Sequence, residues 1–407
     1  MCTSQRRCLL LVAVLVLSIC ANAKHVTISN VMPRRDTSNR IMDAHDGKVL
    51  GPFPHLGNRY LWYAASYGNC TEPSGNSGCK APIAPGKCGF QLDHNVSLWS
   101  SHDLETWTPH GPVFQCAASG LSLAIMFCPK VLYNAQTDTW VMWVNAILGS
   151  NFGVSYYAVA TAKQFTGPFE LVSKNVSTLA YNDVGDFNLF QDDNGNGTAY
   201  VIYTSHIQSA QITHRMSVEQ LSPDYTSTMG LAGNSGFFGS SFVEAPALFK
   251  HAGTYFAVFG QCCCYCEAGS PVYVYIATHP LGPYSAQSTP PSPIDSSVED
   301  EAAAVNSGRA ATTLSDTSSQ RSSFITHEPL VCADSAAAIH AQQTDITSYI
   351  DADGQRQFIW IGDRWQQAPD GIKGHDPTYW GPLRFSPGGD AVLFMSFLNN
   401  FTISIRT

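Results

Sequence analysis

A short aromatic-rich unit recurs five times along the chain and constrains its fold more than any other feature. Each copy is a polar turn followed by a run of Tyr, Trp, Phe, Val and Ile, which is typical of a β-strand. The copies lie at residues 58–64, 138–144, 197–203, 253–259 and 355–361. Turns that carry an aromatic side chain follow three of the copies, at residues 102–107, 165–169 and 281–284. This repetition predicts four-stranded sheets arranged radially around a channel.

No segment shows a long apolar period of the helical kind, so helices are not expected to carry the core. Five copies in a chain of 407 residues predict an all-β fold, a five-bladed β-propeller. A β-sandwich or two small β domains would be the alternative. Residues 285–323 are dominated by Ser, Thr, Pro, Ala and acidic residues, which we interpret as a low-complexity surface insertion within one domain at 24–407.

The N-terminus has the pattern of a secretory signal peptide. Arg6 and Arg7 precede an apolar run at residues 8–19 and the small residues at 21–23. This predicts a signal peptide at 1–23 and an extracellular mature protein, an uncleaved anchor being the alternative. No later stretch is apolar enough to span a membrane, so no membrane association is expected after cleavage.

Cysteine usage agrees with export. Three of the 13 cysteines lie in the predicted signal peptide, so ten remain, an even number that favours disulfides. Four cysteines crowd residues 262–266, but no paired His at ligand spacing accompanies them, so bridges are favoured over zinc and no metal site is predicted. Asn-x-Ser/Thr triplets, potential glycosylation sites, occur at Asn69, Asn95, Asn175, Asn196 and Asn400.

The charge of the chain excludes some classes of partner. The formal net charge is −9, and it becomes −11 without Arg6 and Arg7. There is no cluster of Lys and Arg, so nucleic acid and anionic membranes are not expected partners. We expect a monomer.

One carboxylate stands out among apolar neighbours. Glu244 follows Phe242 and Val243 and precedes Pro246, which cannot continue a regular ladder. Loss of solvent would disfavour the charged form of Glu244 and raise its pKa toward the range of a general acid. Alternatively, it is an edge-strand Glu whose side chain reaches water.

An ordered set of short motifs resembles glycoside hydrolase family 43, and within it the exo-β-1,3-galactanase branch. The matching pieces lie at residues 43–47, 129–134, 186–193, 244–247, 341–344 and 362–365. The resemblance implies a five-bladed propeller with its active site at one mouth of the central channel and a polysaccharide or oligosaccharide substrate. It implies no required cofactor, although the channel could hold a structural calcium ion.

The resemblance also implies catalytic roles. Inversion requires an acid and a base roughly 6.5–9.5 Å apart, with a water between them. Glu244 would be the general acid, and Asp186 would orient it and tune its pKa. We expect Asp43 to be the base and Gln342 to place the water or the sugar. Two alternatives remain open, that Asp43 is a turn Asp capping local backbone and that Gln342 holds the water by itself.

Four further residues of the motifs are candidates for substrate binding. His45 and Asp46 follow Asp43, and His45 would contact the sugar or a central ion unless it is a structural His. Arg364 and Trp365 would contact ligand, the alternative being an Arg that pairs with a carboxylate in the propeller core.

Phe127 and Cys128 replace the Glu-Arg pair of the galactanase branch, and the Glu of that pair grips the sugar. Phe127 could offer a face for sugar stacking or could belong to the core.

The sequence as a whole favours a secreted, inverting glycosidase acting on galactan or on arabinan- or xylan-type side chains. The alternative is a carbohydrate-binding propeller that has lost catalysis.

Overall fold

A computed structural model describes residues 23–72, 88–92, 94–121, 123–148, 154–180, 183–193, 197–206, 214–239, 243–261, 265, 267, 269–288, 339–393 and 395–406. The predicted signal peptide falls outside this range except for Ala23. The cysteine cluster and most of the predicted insertion also lie outside it. Within the described residues, no helix is long and apolar enough to cross a membrane.

The described strands form five sheets and one two-stranded ribbon. The ribbon pairs β1 (Ala23–Ser29) with the last strand of the chain, β21 (Asn400–Arg406). The first blade contains β2 (His45–Phe53), β3 (Arg59–Ser66), β4 (Asn95–Ser101) and β5 (Thr108–Gln115). The second contains β6 (Ile125–Asn134), β7 (Thr139–Leu148), β8 (Val154–Ala162) and β9 (Glu170–Val176). The third contains β10 (Val184–Gln191), β11 (Ala199–Ser205), β12 (Arg215–Gln220) and β13 (Asn234–Phe238).

The fourth blade contains β14 (Val243–His251), β15 (Thr254–Gln261), β16 (Val272–Ala277) and β17 (Ser285–Ala286). The fifth contains β18 (Gln342–Ile350), β19 (Arg356–Asp363) and β20 (Thr378–Pro382). Helical structure in the described residues is limited to α1 (Cys116–Ser119) and to 3₁₀ turns at Pro54–Leu56, Gly230–Ala232 and Lys373–His375. The first two residues of the predicted insertion, at 285–286, form β17 of the fourth blade.

The five repeated units of the sequence are the second strands of the blades, β3, β7, β11, β15 and β19. These strands are buried along nearly their whole length. Their side chains are apolar on both faces because each blade packs between two others. The three aromatic turns join the outer strands of the first, second and fourth blades.

The innermost strands close a ring. β2 contacts β6, β6 contacts β10, β10 contacts β14, β14 contacts β18, and β18 contacts β2 again. This confirms the predicted five-bladed β-propeller. The N-terminal ends of these strands meet at one mouth of the channel, and their C-terminal ends meet at the other.

The terminal ribbon seals the junction between the first and last blades. Val26, Ile28 and the apolar side chains of β21 share a core with Trp62 of the first blade and Trp380 of the fifth. The Asn30 amide donates to the carbonyl oxygen of Trp380 at 2.7 Å, and its own oxygen accepts the Trp380 N–H at 2.8 Å. The ribbon of β1 and β21 thus packs against both the first and the fifth blade and connects them.

A disulfide between Cys70 and Cys88 spans the loop after β3. It is one of the disulfides that the even number of cysteines favours.

Candidate active site

All five innermost strands have a β-bulge at the same mouth of the channel. The register shifts lie between His45 and Lys48, Phe127 and Lys130, Val184 and Phe187, Glu244 and Ala247, and Gln343 and Asp345. A bulge interrupts the ladder and turns side chains away from the regular alternation. Bulged segments from five separate parts of the sequence therefore meet at this mouth.

Three residues in the bulges have left-handed backbone. The φ angles are 53° for Asp46, 51° for Cys128 and 55° for Ala245. Asp visits this region fairly readily, whereas Ala does so rarely, so Ala245 carries backbone strain. The next residue, Pro246, lacks the N–H that a regular ladder would require, which suits it to an interrupted strand.

A narrow cleft opens where the bulges meet. It is lined by Asp46, Cys128, Lys130, Asp186, Phe187, Ala245, Pro246, Gln342, Gln343 and Thr344. Two of the predicted catalytic residues, Asp186 and Gln342, thus lie together beside Asp46. A third, Glu244, adjoins the cleft through Ala245.

Asp186 is the centre of the electrostatics of the cleft. Burial, followed by the negative charges of Glu244 and Asp46, raises the pKa of Asp186 from 3.8 to about 7. The Cys128 thiol donates to its Oδ1 at 3.3 Å, and the Gln342 amide makes a weak contact with its Oδ2 at 3.5 Å. Three carboxyl groups from the first, third and fourth blades therefore repel one another across this mouth when all are ionised.

Glu244 meets two histidines that the sequence analysis did not single out. Its Oε1 lies 2.9 Å from His214 Nδ1 and 4.0 Å from His206 Nε2, and the Glu244 side chain is 17% exposed. His206 follows β11 and His214 precedes β12, one step beyond the paired residues Ser205 and Arg215. In the sequence, the only indication of this pair is that the two histidines flank the connection between β11 and β12.

Asp46 is held on the first blade at the edge of the cleft. Its Oδ2 accepts a hydrogen bond from the Tyr67 hydroxyl at 2.5 Å, and its backbone N–H donates to Asp363 at 2.9 Å. Burial and the charge of Asp363 raise the pKa of Asp46 to about 6. The buried Lys130 ammonium fixes this bulge, donating to the carbonyl oxygens of Asp46 at 3.0 Å, Gly47 at 2.5 Å and Thr344 at 2.9 Å.

Asp43 occupies a different environment from Asp46. The backbone N–H groups of Tyr67 and Gly68 donate to its two oxygens at 2.9 and 2.7 Å. Burial raises the pKa of Asp43, and the nearby His45 and these two amides oppose the shift. The capping role considered for Asp43 is therefore present in the structure, and Asp43 is not among the residues that line the cleft.

Gln342 is oriented by Trp365. The Trp365 indole N–H donates to the Gln342 Oε1 at 2.7 Å, which directs the amide nitrogen toward Asp186. Trp365 is only 1% exposed, and the Lys373 ammonium lies 3.5 Å above its ring. Trp365 thus acts on the cleft through Gln342, in place of the predicted direct contact with a sugar.

His45 and Arg364 have structural surroundings. His45 is 1% exposed, with ring nitrogens 3.6 Å from Asp43 and 3.5 Å from Asp363. Burial alone would lower the pKa of His45, but these two carboxylates raise it. Arg364 donates to the carbonyl oxygen of Asn30 at 2.6 Å and to Gln367. Among the described residues these partners are neutral oxygens, so the carboxylate pairing considered as an alternative is not observed there.

Phe127 is partly buried and packs against apolar side chains. Its ring centroid lies 5.4 Å from that of Phe90 and 6.2 Å from that of His94, and it contacts two of the apolar clusters of the fold. Its neighbour Cys128 lies within the bulge and lines the cleft.

The opposite mouth is wider. It holds a cavity of about 810 Å³ lined by the C-terminal halves of the innermost strands. Its acidic residues are paired there, with Lys250 3.2 Å from Asp192 and Arg356 3.0 Å from Asp193.

Comparison with known proteins identifies the family. The pattern of "Glycosyl hydrolases family 43" matches residues 87–370, well over half of the chain. No curated protein sequence matches this chain. An exo-β-1,3-galactanase from Phanerochaete chrysosporium, solved with β-1,3-galactotriose, shares the fold with a TM-score of 0.60 at 21% identity, over 90% of this chain and 66% of that one.

An exo-β-1,3-galactanase from Clostridium thermocellum gives a TM-score of 0.61 at 21% identity, over 89% of this chain and 64% of that one. The chain thus spans slightly less than two thirds of the length of these two enzymes. The family pattern shows the membership of this chain in the family, and the two solved structures show that it shares their fold. The chain belongs to glycosyl hydrolase family 43.

Proposed function

We propose that the chain is a secreted, inverting glycosidase that cleaves polysaccharides. The main observation in support is that acidic residues from three blades, Asp46, Asp186 and Glu244, lie together at the narrow mouth of the channel. Export is supported by the N-terminal sequence and by the Cys70–Cys88 disulfide. β-1,3-Galactan is the leading substrate because of the likeness to the two galactanases, with arabinan- or xylan-type side chains next.

Glu244 is the proposed general acid, which donates a proton to the leaving glycosidic oxygen. Asp186 interacts electrostatically with Glu244, so simultaneous ionisation of the two carboxyl groups is unfavourable. A proton is consequently retained by the pair near neutral pH. The contact with His214 restrains the Glu244 carboxyl in one orientation.

A carboxylate of the first blade is the proposed base for the attacking water. The sequence predicts Asp43 for this role, but we assign it to Asp46. Asp46 lines the cleft and its charge acts on Asp186, whereas both oxygens of Asp43 accept backbone N–H groups. Gln342, oriented by Trp365, would then position the water or the sugar.

A substrate screen tests the proposal. The mature protein should release sugar from β-1,3-galactan or from another of these polysaccharides, and Glu244→Gln should abolish the release. The first product seen by NMR should have the anomeric configuration opposite to that of the substrate, as inversion requires. Turnover by Glu244→Gln at the wild-type rate would remove the assignment of the acid.

A carbohydrate-binding propeller without catalysis is the second candidate. It is favoured by Phe127, which packs against apolar side chains at the position where the galactanase branch has its sugar-gripping Glu. In that case, calorimetry would detect oligosaccharide binding while no glycan in the screen is cleaved. Turnover that is lost in Asp46→Asn or Asp43→Asn would eliminate this candidate.

A further inference from the structure

Two histidines and the proposed acid form a compact cluster beside the cleft. The rings of His206 and His214 have centroids 4.3 Å apart, with 34° between their planes. One nitrogen of each ring and a Glu244 oxygen all lie within 4.8 Å of one another. The three side chains come from adjacent strand ends of the third blade and from the bulged strand of the fourth.

The donor set has the chemistry of a transition-metal site. Two imidazole nitrogens and a carboxylate oxygen are ligands that Zn²⁺ and its neighbours in the first row accept, whereas Ca²⁺ and Mg²⁺ prefer oxygen alone. Tetrahedral bonds of about 2.0–2.1 Å place ligand atoms roughly 3.3 Å apart. The separations of 2.9 Å from Glu244 to His214 and 4.0 Å from Glu244 to His206 bracket that value.

The surroundings leave His206 available to a ligand. Its Nε2 is buried and has no hydrogen-bond partner within the described part of the chain. A Cβ at position 185 would lie 2.5 Å from this nitrogen, so Gly185 provides the space that the ring occupies. The His206, His214 and Glu244 side chains are 28%, 22% and 17% exposed, so an ion can enter from solvent and retain a water as a further ligand.

We propose that His206, His214 and Glu244 bind one Zn²⁺-like ion, and that this ion inhibits glycoside cleavage. The ion bonds to the Glu244 oxygen through a lone pair that would otherwise carry the catalytic proton, so the acid cannot act while the ion is bound. Without metal, Glu244 keeps its contact with His214. The inhibitory part rests on the proposed function, and metal binding does not.

Cobalt spectroscopy tests metal binding separately from activity. The full disulfide-bonded chain, freed of metal by a chelator, should bind a single Co²⁺ with the visible absorption of a four-coordinate ion, and Zn²⁺ should displace it. His206→Ala should weaken binding by more than about 100-fold, since loss of even an outer-shell partner costs roughly 10–100-fold. His214→Gln should do the same, and His25→Ala, which changes an exposed histidine on β1, should not.

Three spectroscopic results would overturn the site: no visible band, a band that survives both variants, or sulfur-to-metal charge transfer from cysteines. His206→Ala removes no hydrogen bond that Nε2 makes to a described residue, so the variant should fold, and a melting curve checks this. Inhibition is then measured against the metal-free rate of each protein. Zn²⁺ should inhibit wild type, the half-inhibiting concentration should rise more than about 100-fold in His206→Ala, and Ca²⁺ should have no effect.

Zn²⁺ bound at the cluster without loss of activity would overturn the inhibitory part alone. If no glycan is hydrolysed, the proposed function fails while the cobalt spectra still decide the metal site.

Discussion

The two mouths of the channel differ in backbone and in electrostatics. At the wide mouth four of the five innermost strands keep their register, and only β2 shifts, between Leu50 and Phe53. The acidic residues Asp192 and Asp193 there have cationic partners. At the narrow mouth every innermost strand bulges. Burial there, with the charges of Glu244 and Asp46, raises the pKa of Asp186 to about 7, and burial with the charge of Asp363 raises the pKa of Asp46 to about 6.

The proposed chemistry therefore lies at the smaller of the two spaces. The larger space, about 810 Å³, lies where the charges are already neutralised. The narrow mouth holds carboxyl groups that are poorly solvated and close to like charges, the conditions that adapt a carboxyl group to proton transfer. Substitutions at matched positions of the two mouths can test this difference.

The largest expected effect is that of Glu244→Gln at the narrow mouth. Loss of the acid should lower the rate on β-1,3-galactan by about 10²–10⁴-fold. The loss should be smaller on an aryl galactoside, because a phenolate leaves with less need of a proton. Initial rates on both substrates measure this. Asp193→Asn, a carboxylate change at the wide mouth, is the control and should retain the wild-type rate.

Asp46→Asn and Asp43→Asn separate the two acidic residues of the first blade. If Asp46 activates the water, its variant should lose about 10²–10⁴-fold on galactan and on the aryl substrate alike, since both need the base. Asp43→Asn should lose less activity, and mainly stability, because two backbone N–H groups lose a charged acceptor. The reverse order of kcat losses would assign the base to Asp43.

Asp186→Asn should change how stability depends on pH. The pKa of Asp186 is higher in the folded protein than its ordinary value of 3.8, so between about pH 4 and pH 7 the folded state binds more protons than the unfolded state. The free energy of unfolding therefore falls as pH rises through this window. The variant lacks this contribution and should gain about 1–3 kcal/mol relative to wild type between pH 4 and pH 8.

Urea denaturation of both proteins at pH 4, 6 and 8 measures this difference. A difference that stays constant across the three pH values would contradict the electrostatic description of the narrow mouth.

Asp192→Asn at the wide mouth should affect stability without affecting catalysis. Asp192 is buried and accepts hydrogen bonds from Lys250 and from the Tyr255 hydroxyl, so the change should cost about 1–3 kcal/mol. Asp193→Asn removes an exposed pair with Arg356 and should cost less than about 1 kcal/mol. Thermal unfolding compares the two, and equal losses would show that burial does not distinguish them.

The fold was largely predictable because each repeated unit of the sequence forms a strand from residues that are adjacent in the chain. Each repeated unit forms the buried second strand of a blade, where apolar side chains are needed on both faces. The positions of Asp186, Gln342 and Glu244 near one mouth followed from the ordered motifs, since every innermost strand starts at the same end of the channel.

The details of the site were less predictable. Asp43 and Asp46 are three residues apart, but Asp43 precedes β2 whereas Asp46 lies in its bulge with left-handed backbone, and only Asp46 lines the cleft. Trp365 was predicted to contact a sugar, but it is buried against Lys373 and orients Gln342. His206 and His214 carried no motif, because their proximity to Glu244 depends on how the third and fourth blades pack.

The sequence by itself determined the number of blades, the family and the order of the acidic residues along the ring. These properties depend on periodicity and on short motifs, which a linear chain displays directly. Only the tertiary structure decided which carboxyl groups share a cleft, how burial and like charges shift their pKa values, and which histidines reach the proposed acid. Those properties depend on atoms from different blades, which are brought together only when the ring closes and the innermost strands bulge at one mouth.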